Sequence, residues 1–262
     1  MRVSRADKSR LADWWFTVDH TLLGAILMLA GVGLVLSLAA SPAVADKKGL
    51  ATFYFVERHF LFATAGVAVM LAVSLLDRAG VRRFALVLFV VALGGLVAVH
   101  STGSEINGAR RWLRIGGHSL QPSEFAKPAF AVLMAWLFAE AQRRRDMPAL
   151  PIAVLTGVVF AGLLVAQPDV GQTLLVAVVW GALFFLSGQP IIAAVGLAGV
   201  GALGLAAAYN IFPHVASRID RFLTPQIGDN TQVNRASQSF TEGGFLGRGP
   251  GEGTIKTVLP DA

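Results

Sequence analysis

Cysteine is absent from the 262 residues, which excludes disulfides and thiolate metal sites. Charge is scarce: Asp, Glu, Lys and Arg make up 15% of the chain, against about 25% in an ordinary soluble domain. The five histidines, at positions 20, 59, 100, 118 and 214, are scattered and show no metal-ligand spacing. A nucleotide-binding fingerprint is missing as well. The glycine-rich GGFLGRGPGEG at 243–253 has the spacing of neither a P-loop nor a dinucleotide site, and no strand is expected before it. No cleavable signal peptide is evident, because the first apolar run is long enough to span a bilayer and meets no small-residue cleavage site before charge resumes.

What is present is apolar sequence: 55% of residues are hydrophobic and the mean hydropathy is +0.63. Runs at about 17–40, 54–76, 84–100, 122–141, 150–166, 170–186 and 191–209 are each long enough to cross a bilayer as a helix. In lipid every backbone polar group must be satisfied within the protein, so repeated apolar runs specify a helical bundle. The fold class expected is an all-α polytopic membrane protein with seven spans. It divides into a cytoplasmic tail at 1–16, a transmembrane bundle at 17–209 and a large extracytoplasmic loop at 210–262. Residues 1–13 read as a solvated basic tail, followed by Trp14 and Trp15 at the position of an aromatic belt.

Charge orients the bundle. The segments expected on the cytoplasmic side hold four, three and three basic residues: Arg2, Arg5, Lys8 and Arg10; then Arg78, Arg82 and Arg83; then 143–145. The net charge of +6 therefore fits loops facing anionic lipid, and nucleic acid is not expected as a partner. One outer stretch breaks the pattern: SEINGARRWLRIGGHSLQPSEFAK, residues 104–127, read as a loop that leads into the fourth span. Its Arg110, Arg111 and Arg114 serve something other than topology. Lys127 lies a turn inside that span, where a cation is costly unless paired. Glu124 is three residues earlier on the same helix face. Guanidinium forks and a lysine ammonium suit a phosphate or diphosphate; a structural Glu124–Lys127 pair is the other reading. Trp112 reads as an interfacial anchor. Gln121-Pro122-Ser123-Glu124 also has the form of a helix start. Asp169, in Gln167-Pro168-Asp169, is expected to cap the sixth span; orienting an arginine is its alternative role.

Four pieces, taken together, resemble the SEDS family of shape, elongation, division and sporulation proteins. They are NGARRWLRIG (107–116), QPSEFAK (121–127), AQPDVG (166–171) and the RIDRFLTP…GGFLGRGPGEG…LPDA segment from 218 onward. They occur in family order at family spacing, and the wording of the last is closer to the division branch, of alphaproteobacterial type, than to the elongation branch. The resemblance implies a ten-span fold, of which three C-terminal spans would lie beyond this sequence. It implies polymerisation of lipid II, a disaccharide-pentapeptide on undecaprenyl diphosphate, with a class B penicillin-binding protein as partner. It further implies other division proteins and membrane lipids as neighbours, and a place in the bacterial inner membrane at the septum.

The family's acidic residue in the large loop corresponds best to Asp229, although Thr231 stands where other members have tyrosine and the segment is shorter. Asp220 is the alternative; flanked by Arg218 and Arg221, it reads more readily as an ion-pair partner. On this reading Asp229 is the base, and Arg110, Arg111, Arg114, Glu124, Lys127 and Asp169 form the substrate-binding set. No cofactor is required, and the sequence does not decide for or against a divalent cation. The competing readings are a lipid-carrier flippase and a non-catalytic division scaffold.

Overall fold

The computed structural model describes residues 9–106, 109–144, 146–167, 169–223, 231–244 and 247. Among them the elements run in the order α1 (Arg10–Thr17), α2 (His20–Lys47), α3 (Tyr54–Ser74), α4 (Arg78–Thr102), β1 (Ser104–Ile106), β2 (Ala109–Ile115), β3 (His118–Leu120), α5 (Pro122–Arg143), α6 (Ala149–Ala166), α7 (Val170–Leu186), α8 (Ile191–Ile211), α9 (Pro213–Leu223) and α10 (Thr231–Gly243). Each of the seven expected runs forms a helix, α2 to α8. Of these, α3, α4, α6, α8 and the His20–Pro42 part of α2 are long and apolar enough to cross a membrane. The other two differ for separate reasons: α7 has 17 residues, and α5 carries Glu124, Lys127, Glu140 and Arg143 along its length.

The chain forms two units, Met1–Asp77 with Thr224–Ala262, and Arg78–Leu223. In the first, α2 packs along α3. The basic tail expected through residue 13 is already helical from Arg10. Ser9 caps α1, its Oγ accepting from the Ala12 amide at 3.2 Å, and Trp14 Nε1 donates to Ser74 Oγ at 2.8 Å, fastening α1 to the end of α3. Asp19 then starts α2, accepting from the amides of Thr21 and Leu22. This helix outruns its expected end at residue 40. It continues through Pro42 to Lys47 and closes in a Schellman turn, with the amides of Gly49 (φ +65°) and Leu50 donating to the carbonyls of Asp46 and Ala45.

In the second unit α5 is the central helix, packed against α4, α6, α7 and β2. Phe89, Phe130 and Phe160 meet with ring centroids 5.0–5.9 Å apart, and Phe138, Trp180 and Phe184 form a second aromatic group. Centrality lets α5 carry ions in an apolar setting, because Glu124, Lys127 and Glu140 find protein partners. At its C-terminal end Glu140 receives Trp136 Nε1 at 3.2 Å and pairs with Arg144 at 3.4 Å and Arg82 at 4.0 Å. The Arg82 guanidinium also lies over the Trp136 ring, 5.6 Å from its centroid.

Helix α6 approaches α7 closely at Gly157, where an added Cβ would stand 2.8 Å from Trp180 Nε1. That indole donates to the Ala153 carbonyl at 3.1 Å and stacks on Phe184, so it has no room to yield. Gly157→Ala is therefore expected to destabilise the protein by about 1–3 kcal/mol, the usual cost of overpacking. Gly162→Ala on the same helix, where a Cβ meets nothing within 4 Å, is expected to leave thermal unfolding in detergent unchanged or raise its midpoint.

Two regions depart from the sequence reading. The outer stretch, expected as a loop, is a three-stranded antiparallel sheet in the order β1-β2-β3. Ile115 pairs with His118, so Gly116 and Gly117 form a two-residue turn with φ of +56° and +78°, the signature of a type I′ hairpin. The segment after residue 210, expected as a large loop, contains the helices α9 and α10 among its described residues.

Candidate functional site

The site is built on the first turn of α7 and the residues just before it. Gln167 is buried, and its Nε2 donates to the Leu96 carbonyl of α4 at 3.2 Å. Asp169 follows, with a side chain 7% exposed. The expected cap does not form: Asp169 precedes α7 but makes no side-chain capping bond. Its Oδ2 instead lies 3.4 Å from Arg111 Nη1 of β2. A carboxylate this buried is served better by a guanidinium than by an amide dipole, so its alternative role is the one it takes. One turn on, Gln172 reaches α5. Its Oε1 accepts from Lys127 Nζ at 2.6 Å, and its Nε2 donates to Glu124 Oε1 at 3.4 Å. Lys127 Nζ also lies 2.8 Å from both Oε1 and Oε2 of Glu124. Polar side chains from Gln167 to Gln172 thus tie this segment to α4, β2 and α5.

Local sequence explains how these groups converge. Pro122 occupies the first turn of α5, where its missing amide costs nothing. Glu124 and Lys127 then fall on one face, as do Asp169 and Gln172. In β2, successive residues point to opposite faces. Arg111 and Leu113 turn toward the helices: Arg111 pairs with Asp169, and a Leu113 methyl lies 3.9 Å from a Cβ position on Gly95 of α4. Arg110 and Arg114 belong to the other face and are exposed. The structure therefore pairs Arg111 with Asp169 and Lys127 with Glu124, two pairs that meet α7 three residues apart at Asp169 and Gln172, and puts Arg110 and Arg114 on the opposite face of β2. The four grouped charges cancel, two cations against two carboxylates.

Asp220, expected to pair with its flanking arginines, accepts a hydrogen bond from the Tyr209 hydroxyl at 2.9 Å and links α9 to the end of α8. The Arg218 and Arg221 side chains and Asp229 lie outside the described residues. Among the described residues no three His, Asp or Glu side chains gather as metal ligands. Sequence reasoning missed Gln172 and Tyr209. For Gln172 a signal existed: it is a polar residue three positions after Asp169 in an otherwise apolar run.

Residues 20–262 match the model of the FtsW, RodA and SpoVE family, described as cell cycle proteins. The chain belongs to this family. Among curated members, it is 42% identical over 259 residues to the probable peptidoglycan glycosyltransferase FtsW of Caulobacter vibrioides, covering 98% of this chain and 66% of that protein. It is 31% identical over 256 residues to the stage V sporulation protein E of Bacillus subtilis, covering 91% and 67%. The chain spans about two thirds of the length of such relatives. Two solved structures resemble it: a mutant of the rod shape determining protein RodA from Thermus thermophilus, with 27% identity, TM-score 0.58 and coverage of 73% and 60%, and a chain of a peptidoglycan synthase complex, with 26% identity, TM-score 0.64 and coverage of 85% and 65%. As a member of the FtsW, RodA and SpoVE family, the chain is a multi-pass helical membrane protein, in agreement with the four motifs that carried the resemblance.

Proposed function

We propose that this protein is a peptidoglycan glycosyltransferase that polymerises lipid II during septal wall synthesis, working in the inner membrane beside a class B penicillin-binding protein and other division proteins. The observation that carries the reading is the group Lys127, Glu124, Gln172, Arg111 and Asp169 at the head of α5 and α7. Ionisable groups among apolar spans are costly and mark polar substrates. A diphosphate on a lipid tail is such a substrate, presenting its charge at the membrane rim while its chain stays in lipid. The names of the curated relatives and of the synthase complex point the same way.

In the reaction, the 4-hydroxyl oxygen of one lipid-linked disaccharide bonds to the anomeric carbon of the other. The bond from that carbon to the diphosphate oxygen breaks, and its electron pair leaves with undecaprenyl diphosphate. The hydroxyl proton passes to a carboxylate, assigned to Asp229 with Asp220 as the alternative. Lys127 and Arg111 stabilise the charge growing on the leaving group. No electrons are exchanged, so no redox cofactor is needed.

The test is direct. The full-length protein, purified with its transpeptidase partner and given labelled lipid II, is expected to form glycan polymer. Movement of lipid II across a vesicle bilayer without polymer would replace the enzyme by a flippase. Neither activity would leave a scaffold.

A further inference from the structure

We propose that Gln172 is a positioning residue: it holds the Lys127 ammonium on the side of α5 that faces α7, leaving its charge uncancelled when Glu124 is displaced. The use to which Lys127 is then put rests on the function proposed above; the positioning itself does not.

Lysine has three rotatable donors on a flexible four-carbon stem. Lys127 is 19% exposed, and its ammonium is shared between two kinds of partner. Glu124, three residues back on the same helix, offers both carboxylate oxygens at 2.8 Å. Gln172, from the neighbouring helix, offers its carbonyl oxygen at 2.6 Å. The Gln172 amide then reaches Glu124 at 3.4 Å and closes the triangle.

The two partners differ in what they do to the charge. Glu124 cancels it; Gln172, being neutral, satisfies a proton and leaves the charge intact. They differ also in access, since the Glu124 side chain is 49% exposed. An incoming diphosphate oxygen therefore competes with Glu124 for the ammonium, carrying the same sign of charge and arriving from the exposed side. Gln172 keeps its bond through the exchange. Without it, the partner left to Lys127 among the described residues would be Glu124 on its own helix, the one that a phosphate must displace.

Two variants of the full-length protein separate holding from charge. Gln172→Leu removes the bond, and Gln172→Glu keeps the shape and the bond but neutralises the ammonium. The first readout is the rate at which acetic anhydride acylates Lys127, measured by peptide mass spectrometry. Gln172→Leu is expected to raise it about tenfold, the scale of a lost hydrogen bond to a charged group, whereas Gln172→Glu is expected not to raise it. The second is the affinity for geranyl diphosphate, expected to fall about tenfold in both variants. An unchanged acylation rate in Gln172→Leu overturns the positioning. So does an equal loss of affinity from Gln172→Leu in a Lys127→Ala background, because Gln172 would then not act through Lys127. If acylation rises as expected but Lys127→Ala binds geranyl diphosphate as wild type does, the positioning stands and the assignment of Lys127 to the diphosphate falls. Should Gln172→Leu fail to fold, the isosteric Gln172→Glu decides: a wild-type affinity overturns the proposal.

Discussion

Arg111→Ala is expected to destabilise the folded protein by about 3–5 kcal/mol, the usual result of removing one partner from a buried ion pair. The loss of attraction is only part of this. The Asp169 side chain is 7% exposed, and without the guanidinium the desolvation of its carboxylate would go uncompensated. Arg111 is itself 21% exposed, so water screens it somewhat and places the effect toward the lower end of the range. The cost is structural because Arg111 lies on β2 and Asp169 at the head of α7, and the pair is one of three polar ties made there.

A companion variant tests that reasoning. Arg111→Met combined with Asp169→Leu replaces both charges by apolar groups of similar size, and such replacements are often neutral or stabilising. Thermal unfolding in detergent is expected to show a clear fall in midpoint for Arg111→Ala and its recovery in the double variant. A single variant that melts with wild type would mean that the pair contributes nothing to stability.

Asp169 also shows where reading a sequence stops. A capping residue is recognised from its neighbours alone, and Asp ahead of an apolar run has the right form. An arginine on a distant strand is invisible in that local pattern, yet a buried carboxylate gains more from a cation than from amide groups. The sheet was hidden for a related reason. Arg110, Arg111 and Arg114 stand out as charges, while the alternation that makes β2 a strand and the Gly116-Gly117 turn both lie within the same few residues. The helices were legible because lipid imposes a simple rule: an apolar run of sufficient length must satisfy its own backbone. Even so, α5 passes that test only through its packing, since its charges make it the least apolar-looking of the central helices. The Lys127–Glu124 pair was readable from i,i+3 spacing. Its third member had a fainter signal, a polar residue in an apolar run, and nothing in that signal names Lys127 on another helix as its partner.

Asp229→Asn is expected to lower lipid II polymerisation by about two to four orders of magnitude, the range attributed to a positioned general base. That corresponds to roughly 3–5 kcal/mol of transition-state stabilisation. The acceptor hydroxyl is a poor nucleophile until its proton begins to leave, and asparagine keeps the size of aspartate while losing the basic oxygen. Asp220 is the rival. It accepts a hydrogen bond from Tyr209 at 2.9 Å, which commits one carboxylate oxygen to joining α8 and α9. A group with that task is expected to act on the helix connection: Asp220→Asn would lower the thermal midpoint modestly and leave most of the polymerisation rate. The two substitutions, assayed side by side with labelled lipid II and the transpeptidase partner, are expected to separate cleanly into a slow enzyme that melts normally and a working enzyme that melts early. The reverse outcome would transfer the role of base to Asp220, and full activity in both would remove either carboxylate from the proton transfer.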